Sequence, residues 1–203
     1  MNALKAWGLA LLIGSGGVHA GTAEVFRNDT AGLQLTKPDG WVYLTAAQNR
    51  ENLGKVKLDS PELQAALQKY ASAPLLVMAK YKEPYADANP SFKVALKPYG
   101  NLKGMVPLQL LGLILPQLRQ AFGDAEVVQP PVEVTVAGVK SAYARLNYTM
   151  ANQAGETFPL TSEMWIVPHG DYFFVLGAGT RTDESNGRRS EIDAIIKSIK
   201  LAH

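Results

Sequence analysis

The stretch Val139-Lys140-Ser141-Ala142-Tyr143-Ala144-Arg145-Leu146-Asn147-Tyr148-Thr149 is the strongest structural signal in this chain. Ala142, Ala144, Leu146 and Tyr148 fall on one face of an extended backbone, and Tyr143, Arg145 and Asn147 on the other. A period of two belongs to a β-strand. Asn152–Gly155 then supplies turn residues, and Phe158–Val167, which contains Trp165, reads as the next strand. Pro168-His169-Gly170-Asp171 reads as a tight turn. Tyr172-Phe173-Phe174-Val175-Leu176 is apolar on both faces, as a central strand covered on both sides must be. Together the three segments predict a meander.

Working outward, a helix entered from Ser190 carries Ile192, Ile195, Ile196 and Ile199 at helical spacing. Upstream, Glu126–Val136 contains Pro130-Pro131, which confines it to an edge strand or a loop entering one. Pro107–Phe122 reads as a helix with Leu110, Leu111, Ile114, Leu118 and Phe122 on one stripe; Pro116 should kink or divide it, and Gly123 suits a left-handed C-terminal residue. Ser91–Pro98 alternates around Phe92, Val94 and Leu96 and reads as a strand. Pro74–Lys82 holds the continuous apolar run of a buried strand, with the loop Glu83–Pro90 after it. Ser60-Pro61-Glu62 combines a cap, a first-turn proline and an acid at the positive end of a helix, followed by Leu63, Ala66, Leu67 and Tyr70 on one face. Thr45–Val56 is weakly helical. At the front, Gly32–Thr36 and Trp41–Leu44 flank Lys37-Pro38-Asp39-Gly40, a hairpin signal, and Gly21–Ala31 is a loose or first edge segment. Strands with hairpin-sized connections, interrupted by helices, predict an α+β fold: an α/β/α sandwich with a central, mainly antiparallel sheet and helices on both faces.

Met1–Ala20 reads as a cleaved signal peptide. Lys5 precedes the apolar run Ala6–Ile13, and Val18-His19-Ala20 fits a small-x-small cleavage site. The run is short of the ~20 residues a membrane helix needs, and Leu108–Leu118 is broken by Gly112 and Pro116, so no membrane span is expected after cleavage. Residues 21–203 are then expected to form one domain. The chain carries 20 Lys and Arg against 18 Asp and Glu, a net +2, and the leader removes Lys5 from that balance. So even a balance gives no field for nucleic acid, and Arg188-Arg189, the densest basic pair, reads as a solvated face. The absence of cysteine from the sequence removes disulfides, thiolate chemistry and lipidation at a cysteine. An exported chain without disulfides suits a bacterial periplasm; the expected location is periplasmic or secreted.

Gly32-Leu33-Gln34-Leu35-Thr36-Lys37-Pro38-Asp39-Gly40-Trp41, the glycine-opened strand Gly138-Val139-Lys140-Ser141-Ala142-Tyr143, the Gly170-Asp171-Tyr172 entry and the closing Ile195-Ile196-Lys197-Ser198-Ile199 together resemble the PsbP-like superfamily. Its relatives include DcrB-type bacterial periplasmic proteins and a eukaryotic Ran-binding factor. The resemblance implies an α/β/α sandwich and a non-enzymatic role in binding or stabilising other proteins. It implies no catalytic residues and no cofactor.

Residue by residue, chemistry is sparse. His169 is the only interior histidine once His19 leaves and His203 is counted as terminal. It could act as a general base with Asp171 or Ser162, against a plain solvated turn residue, which is the preferred reading. Glu156 and Glu163 could pair as glycosidase carboxylates, against exposed strand positions, again preferred. No metal-ligand spacing is visible. Gly177-Ala178-Gly179 lacks the context of a phosphate loop and reads as a strand end. Trp41, Trp165 and the tyrosines could line a groove, although sheet–helix packing is the commoner role. The loop Glu83–Pro90 offers the best contact surface, with Tyr85, Asp87 and Asn89 as candidate partner contacts. The expected function is that of an exported accessory protein binding another envelope protein. Two alternatives are a periplasmic carrier of a small ligand or lipid, held between the sheet and the Leu108–Leu118 helix, and, last, a His169-dependent hydrolase.

Overall fold

A computed structural model describes residues 24–55, 74–123, 125–151 and 155–202. The leader Met1–Ala20 and the helix expected after Ser60 lie outside the described residues.

A seven-stranded sheet dominates. Its order is β3 (Val42–Tyr43), β4 (Leu76–Ala79), β5 (Ser91–Pro98), β9 (Tyr172–Arg181), β8 (Thr157–His169), β7 (Val139–Ala151) and β6 (Glu126–Val136). Every adjacent pair is antiparallel. The meander occupies one half, and β9 lies at the centre, as its two-sided apolarity requires. Ala137 and Gly138, at φ 51° and 79°, make the two-residue turn between β6 and β7, the geometry that matches the twist of paired strands. β6 is the edge strand, and its register slips between Val127 and Val132, around Pro130-Pro131. Proline cannot donate to a ladder, so the slip falls there. A smaller sheet joins β1 (Glu24–Asn28), β2 (Leu33–Lys37) and β10 (Lys200–Leu201). The helices are α1 (Ala46–Lys55), α2 (Pro107–Ala121) and α3 (Arg189–Ser198) among the described residues.

One face of the large sheet packs against the small sheet and α3. Leu33 and Leu35 of β2, together with Ile192 and Ile195 of α3, meet Phe92, Val94, Trp165, Phe174 and Leu176. The opposite face receives Leu110, Leu111 and Leu115 of α2 on Ala142, Ala144, Leu146, Ile166 and Phe173. The alanines of β7 let α2 approach closely. The α+β sandwich with helices on both faces is therefore the observed fold.

Several local expectations need correction. The segments around Pro38-Asp39-Gly40 are not a hairpin. The turn forms, with the Trp41 N–H donating to the Pro38 carbonyl (3.2 Å) and Gly40 at φ 78°. Yet β2 pairs with β1 and β10, whereas β3 pairs with β4. Trp41, 2% exposed, anchors in the core just after the turn and carries the chain from one sheet to the other. Pro116 does not divide α2, which runs through it. The proline frees the Gly112 carbonyl, but both residues lie on the exposed side of the helix, where water satisfies it. Gly123 does not adopt a left-handed conformation. The capping residue is Phe122 at φ −121°, drawn outward by its stacking on Tyr148 at 4.1 Å between centroids. His169 is the last rung of β8, paired with Tyr172, so the turn is Gly170-Asp171 alone. Gly177-Ala178-Gly179 lies inside β9 and is not its end.

Candidate functional site

The loop between β4 and β5 carries the three candidate contacts and is internally ordered. Its neck is closed by the Lys80 N–H on the Pro90 carbonyl (2.8 Å). Inside, the Asn89 carboxamide is used at both ends: its oxygen accepts from the Tyr81 N–H (3.0 Å), and its nitrogen donates to the Tyr81 carbonyl (2.8 Å) and Glu83 (2.9 Å). Asp87 accepts from Arg181 (2.8 Å) and from the Asn186 amide (3.2 Å). Arg181 also grips Asp183 and holds that carboxyl well below the usual range, with help from the Ser185 N–H. The Tyr81 hydroxyl donates to the Asn186 carbonyl (2.7 Å), and the Tyr81 and Tyr85 rings stack 4.5 Å apart at 12°. Asp87 and Asn89 thus face into the loop and shape it. Tyr85 is the half-buried outer ring of a supported aromatic pair. Nothing in the sequence signals that Arg181 and Asn186 brace this loop, because they lie 94 and 99 residues from Asp87.

The other candidate catalytic groups are not assembled. His169 tilts against Phe174 (5.3 Å) and borders Gly32, where an added Cβ would lie 3.0 Å from its Nε2. Asp171 is exposed and pairs with Lys103 at 3.2 Å. Ser162 sits on the opposite sheet face, about 23 Å back along β8. Glu163 is 2% exposed, not an exposed strand residue. It accepts from Arg189 Nε (2.7 Å) and from the Tyr143 hydroxyl. Arg189, half-buried, accordingly pairs with a buried carboxylate and is not part of a solvated basic face. Burial, then the hydrogen bond to Glu163, pushes the Tyr143 phenol far above its ordinary value. Glu156 precedes Glu163 by seven residues, about 23 Å of extended chain, beyond any glycosidase spacing. Trp41 and Trp165, 2% and 5% exposed, are core residues.

A groove of about 510 Å³ opens on the α2 side of the sheet. Helix α2 covers β6, β7 and β8, and its last turn supplies Leu118 and Phe122 as one wall. Tyr148 and Met164 continue that wall. The floor is made by the small residues Ser91, Ala95, Gly177 and Gly179 of β5 and β9. Lys93 and Lys97 rise from β5 on the same face, two pleats apart. The cross-strand neighbours of Lys93 are Val77 and Gly177. Water reaches Lys93, yet protein surrounds it within the concavity. This desolvation, then repulsion from Lys97, holds its ammonium below the usual lysine value. Glu163 also borders the groove, but its carboxylate is engaged by Arg189 and Tyr143 on the far face. Tyr148, half-buried and bonded to Ser162, has its phenol pushed up to about 12, mainly by desolvation. The smallness of Gly177 and Gly179 is visible in the sequence; that they floor a groove is not.

No family model and no curated protein sequence matches the chain. Solved structures do. LpqN of Mycobacterium tuberculosis, described as involved in cell envelope biogenesis, superposes with a TM-score of 0.52 at 14% identity, over 91% of this chain and 88% of that one. Cyanobacterial PsbP from Synechocystis superposes at 0.50 and 14% identity, over 95% of this chain and all of that one (100%). The Saccharomyces cerevisiae Ran-binding protein Mog1p gives 0.48 at 14% identity, over 89% and 95%. At such identities the likeness is one of architecture, and the chain has a PsbP-like fold.

Proposed function

We propose that the protein is an exported, non-enzymatic accessory factor, one domain over residues 21–203, that binds another protein of the cell envelope. The carrying observation is the loop between β4 and β5. It is clamped at its neck, braced by Arg181 and Asn186, and presents Tyr85 on the supporting ring of Tyr81. A preorganised aromatic anchor loses little entropy on binding and suits a protein interface. The PsbP-like fold and the envelope role of LpqN support the same reading, and the secretory character of Met1–Ala20 is the ground for a periplasmic or secreted location.

The test is a photo-crosslinking residue at position 85, with position 140 as control, in the cell of origin. A discrete adduct with the same envelope protein, formed from position 85 and suppressed by excess unlabelled protein but not by its Tyr85→Ala variant, is the expected result. Equal labelling from both positions, or none, refutes the loop as the contact. Export is checked separately: the recovered protein should begin at Gly21.

A further inference from the structure

The groove beside α2 is bordered at one end by Ala88 and Asn89 of the β4–β5 loop but not by Tyr85, and its composition is not that of a packing defect. The described residues give neither Lys93 nor Lys97 an ion-pair partner. Two cations rise from one strand face about 13 Å apart along the backbone, and their like charges repel within the concavity. They also stand over an apolar trough whose floor lacks side chains at Gly177 and Gly179. An anion lying between them would relieve the repulsion, and an apolar chain would fill the trough. The volume falls within the ~300–1,000 Å³ of ordinary ligand sites.

We propose that this groove binds a single-chain amphiphile with a carboxylate head, of the fatty-acid class: the acyl chain on Gly177, Gly179 and Ala95 against Leu118 and Phe122, the head between Lys93 and Lys97. The head is assigned as a carboxylate for a chemical reason. Beside the two lysine point charges the lining offers the Asn89 amide and the Ser91 and Ser162 hydroxyls, with the Glu163 carboxylate already engaged by Arg189 and Tyr143, but no arginine fork, the group that favours a phosphate. The ammonium of Lys93, already partly desolvated, gives up little further hydration when the head arrives.

The test uses the full-length chain at pH 7 and the fluorescent fatty acid cis-parinarate, displaced in turn by hexadecanoate, hexadecanol and hexadecyltrimethylammonium. Hexadecanoate is expected to displace the probe at about ten-fold lower concentration than hexadecanol, as a charge-assisted contact of modest strength gives. The cationic analogue should be the weakest of the three. In Lys93→Gln/Lys97→Gln the advantage of the acid over the alcohol should shrink to within about three-fold, with alcohol binding retained. Gly177→Val should abolish probe binding altogether. Its β-carbon meets nothing closer than Lys93 Cε at 3.9 Å, and valine favours strands, so its urea midpoint should be no lower than that of the parent. The proposal is overturned by any of three results: no probe binding by the parent chain, which means the groove is filled by the chain itself or by a second copy; equal affinity for acid and alcohol; or unimpaired binding by the folded Gly177→Val variant.

Discussion

The two faces of the large sheet are made by the same strands and put to different use. On β9, Phe174, Leu176, Ala178 and Thr180 point to one side and are buried against α3 and the small sheet. Phe173, Val175, Gly177 and Gly179 point to the other and dwindle in size along the strand. Along β9 the first face is closed, down to a buried carboxylate satisfied by Arg189 and Tyr143, and it opens only toward the margin of β1, β3 and β4. Among the described residues the second closes where α2 lies over β6, β7 and β8, and beyond it these residues leave a trough with two lysines. The strand's period of two therefore lets one segment both hold the core and shape a cavity, with side-chain volume deciding which.

The sharpest test of that contrast is a pair of truncations. Ile195→Ala removes a side chain with no exposure from the closed face and should cost about 2–5 kcal/mol by urea denaturation. Val175→Ala, on the half-open face, should cost under about 1.5 kcal/mol. Equal losses would mean the second face is packed as tightly as the first. Next in size is Arg189→Ala. It strands the Glu163 carboxylate, 2% exposed, and because water reaches the guanidinium side (33% exposed) the loss should fall at the low end of ~3–5 kcal/mol. Arg189→Ala/Glu163→Met should recover much of it, since the unpaired buried charge is the cause.

At the rim of the closed face, Lys80 (2.8 Å), the Arg188 N–H (3.0 Å) and the Trp41 indole (3.3 Å) bind Glu191. Burial pushes that carboxyl up, but Lys80 and the two N–H donors outweigh it and hold it below its ordinary value. A carboxyl with a depressed folded pKa stabilises above its unfolded value, ~4.3, and that contribution is lost as pH falls through the folded value. The urea midpoint should therefore drop below about pH 4, and Lys80→Met should reduce the drop. The smallest effect belongs to the open face. Gly177→Ala, at an unstrained position with room for a β-carbon, should stabilise by about 0.5–1 kcal/mol. A loss there would mean that the trough is already filled.

Much of the sheet was legible because alternation is local. Val139–Thr149, Phe158–Val167 and the two-sided Tyr172–Leu176 placed the meander and its central strand, and Pro130-Pro131 marked the edge. The early segment misled because Pro38-Asp39-Gly40 specifies a turn but not the partners of the strands beside it. Those were settled by Trp41, which seats in the core between the sheets. The candidate loop was legible as a loop with Tyr85 on it, whereas the inward roles of Asp87 and Asn89 were not. Asp87 is held by Arg181 at the end of β9 and by Asn186 beyond it, 94 and 99 residues away, and Asn89 turns back on Tyr81 and Glu83.

The amino-acid order determined the elements themselves, through hydrophobic period, proline positions and turn glycines, all read within a few neighbouring residues. It also set the near-neutral charge balance and excluded cysteine chemistry. Tertiary structure alone decided that the buried Glu163 pairs with Arg189, that His169 serves packing, and that Gly177 of β9 lies beside Lys93 of β5 on the floor of an open trough. Each of those depends on strand register and on where α2 stops, and such long-range pairings leave no trace in local sequence.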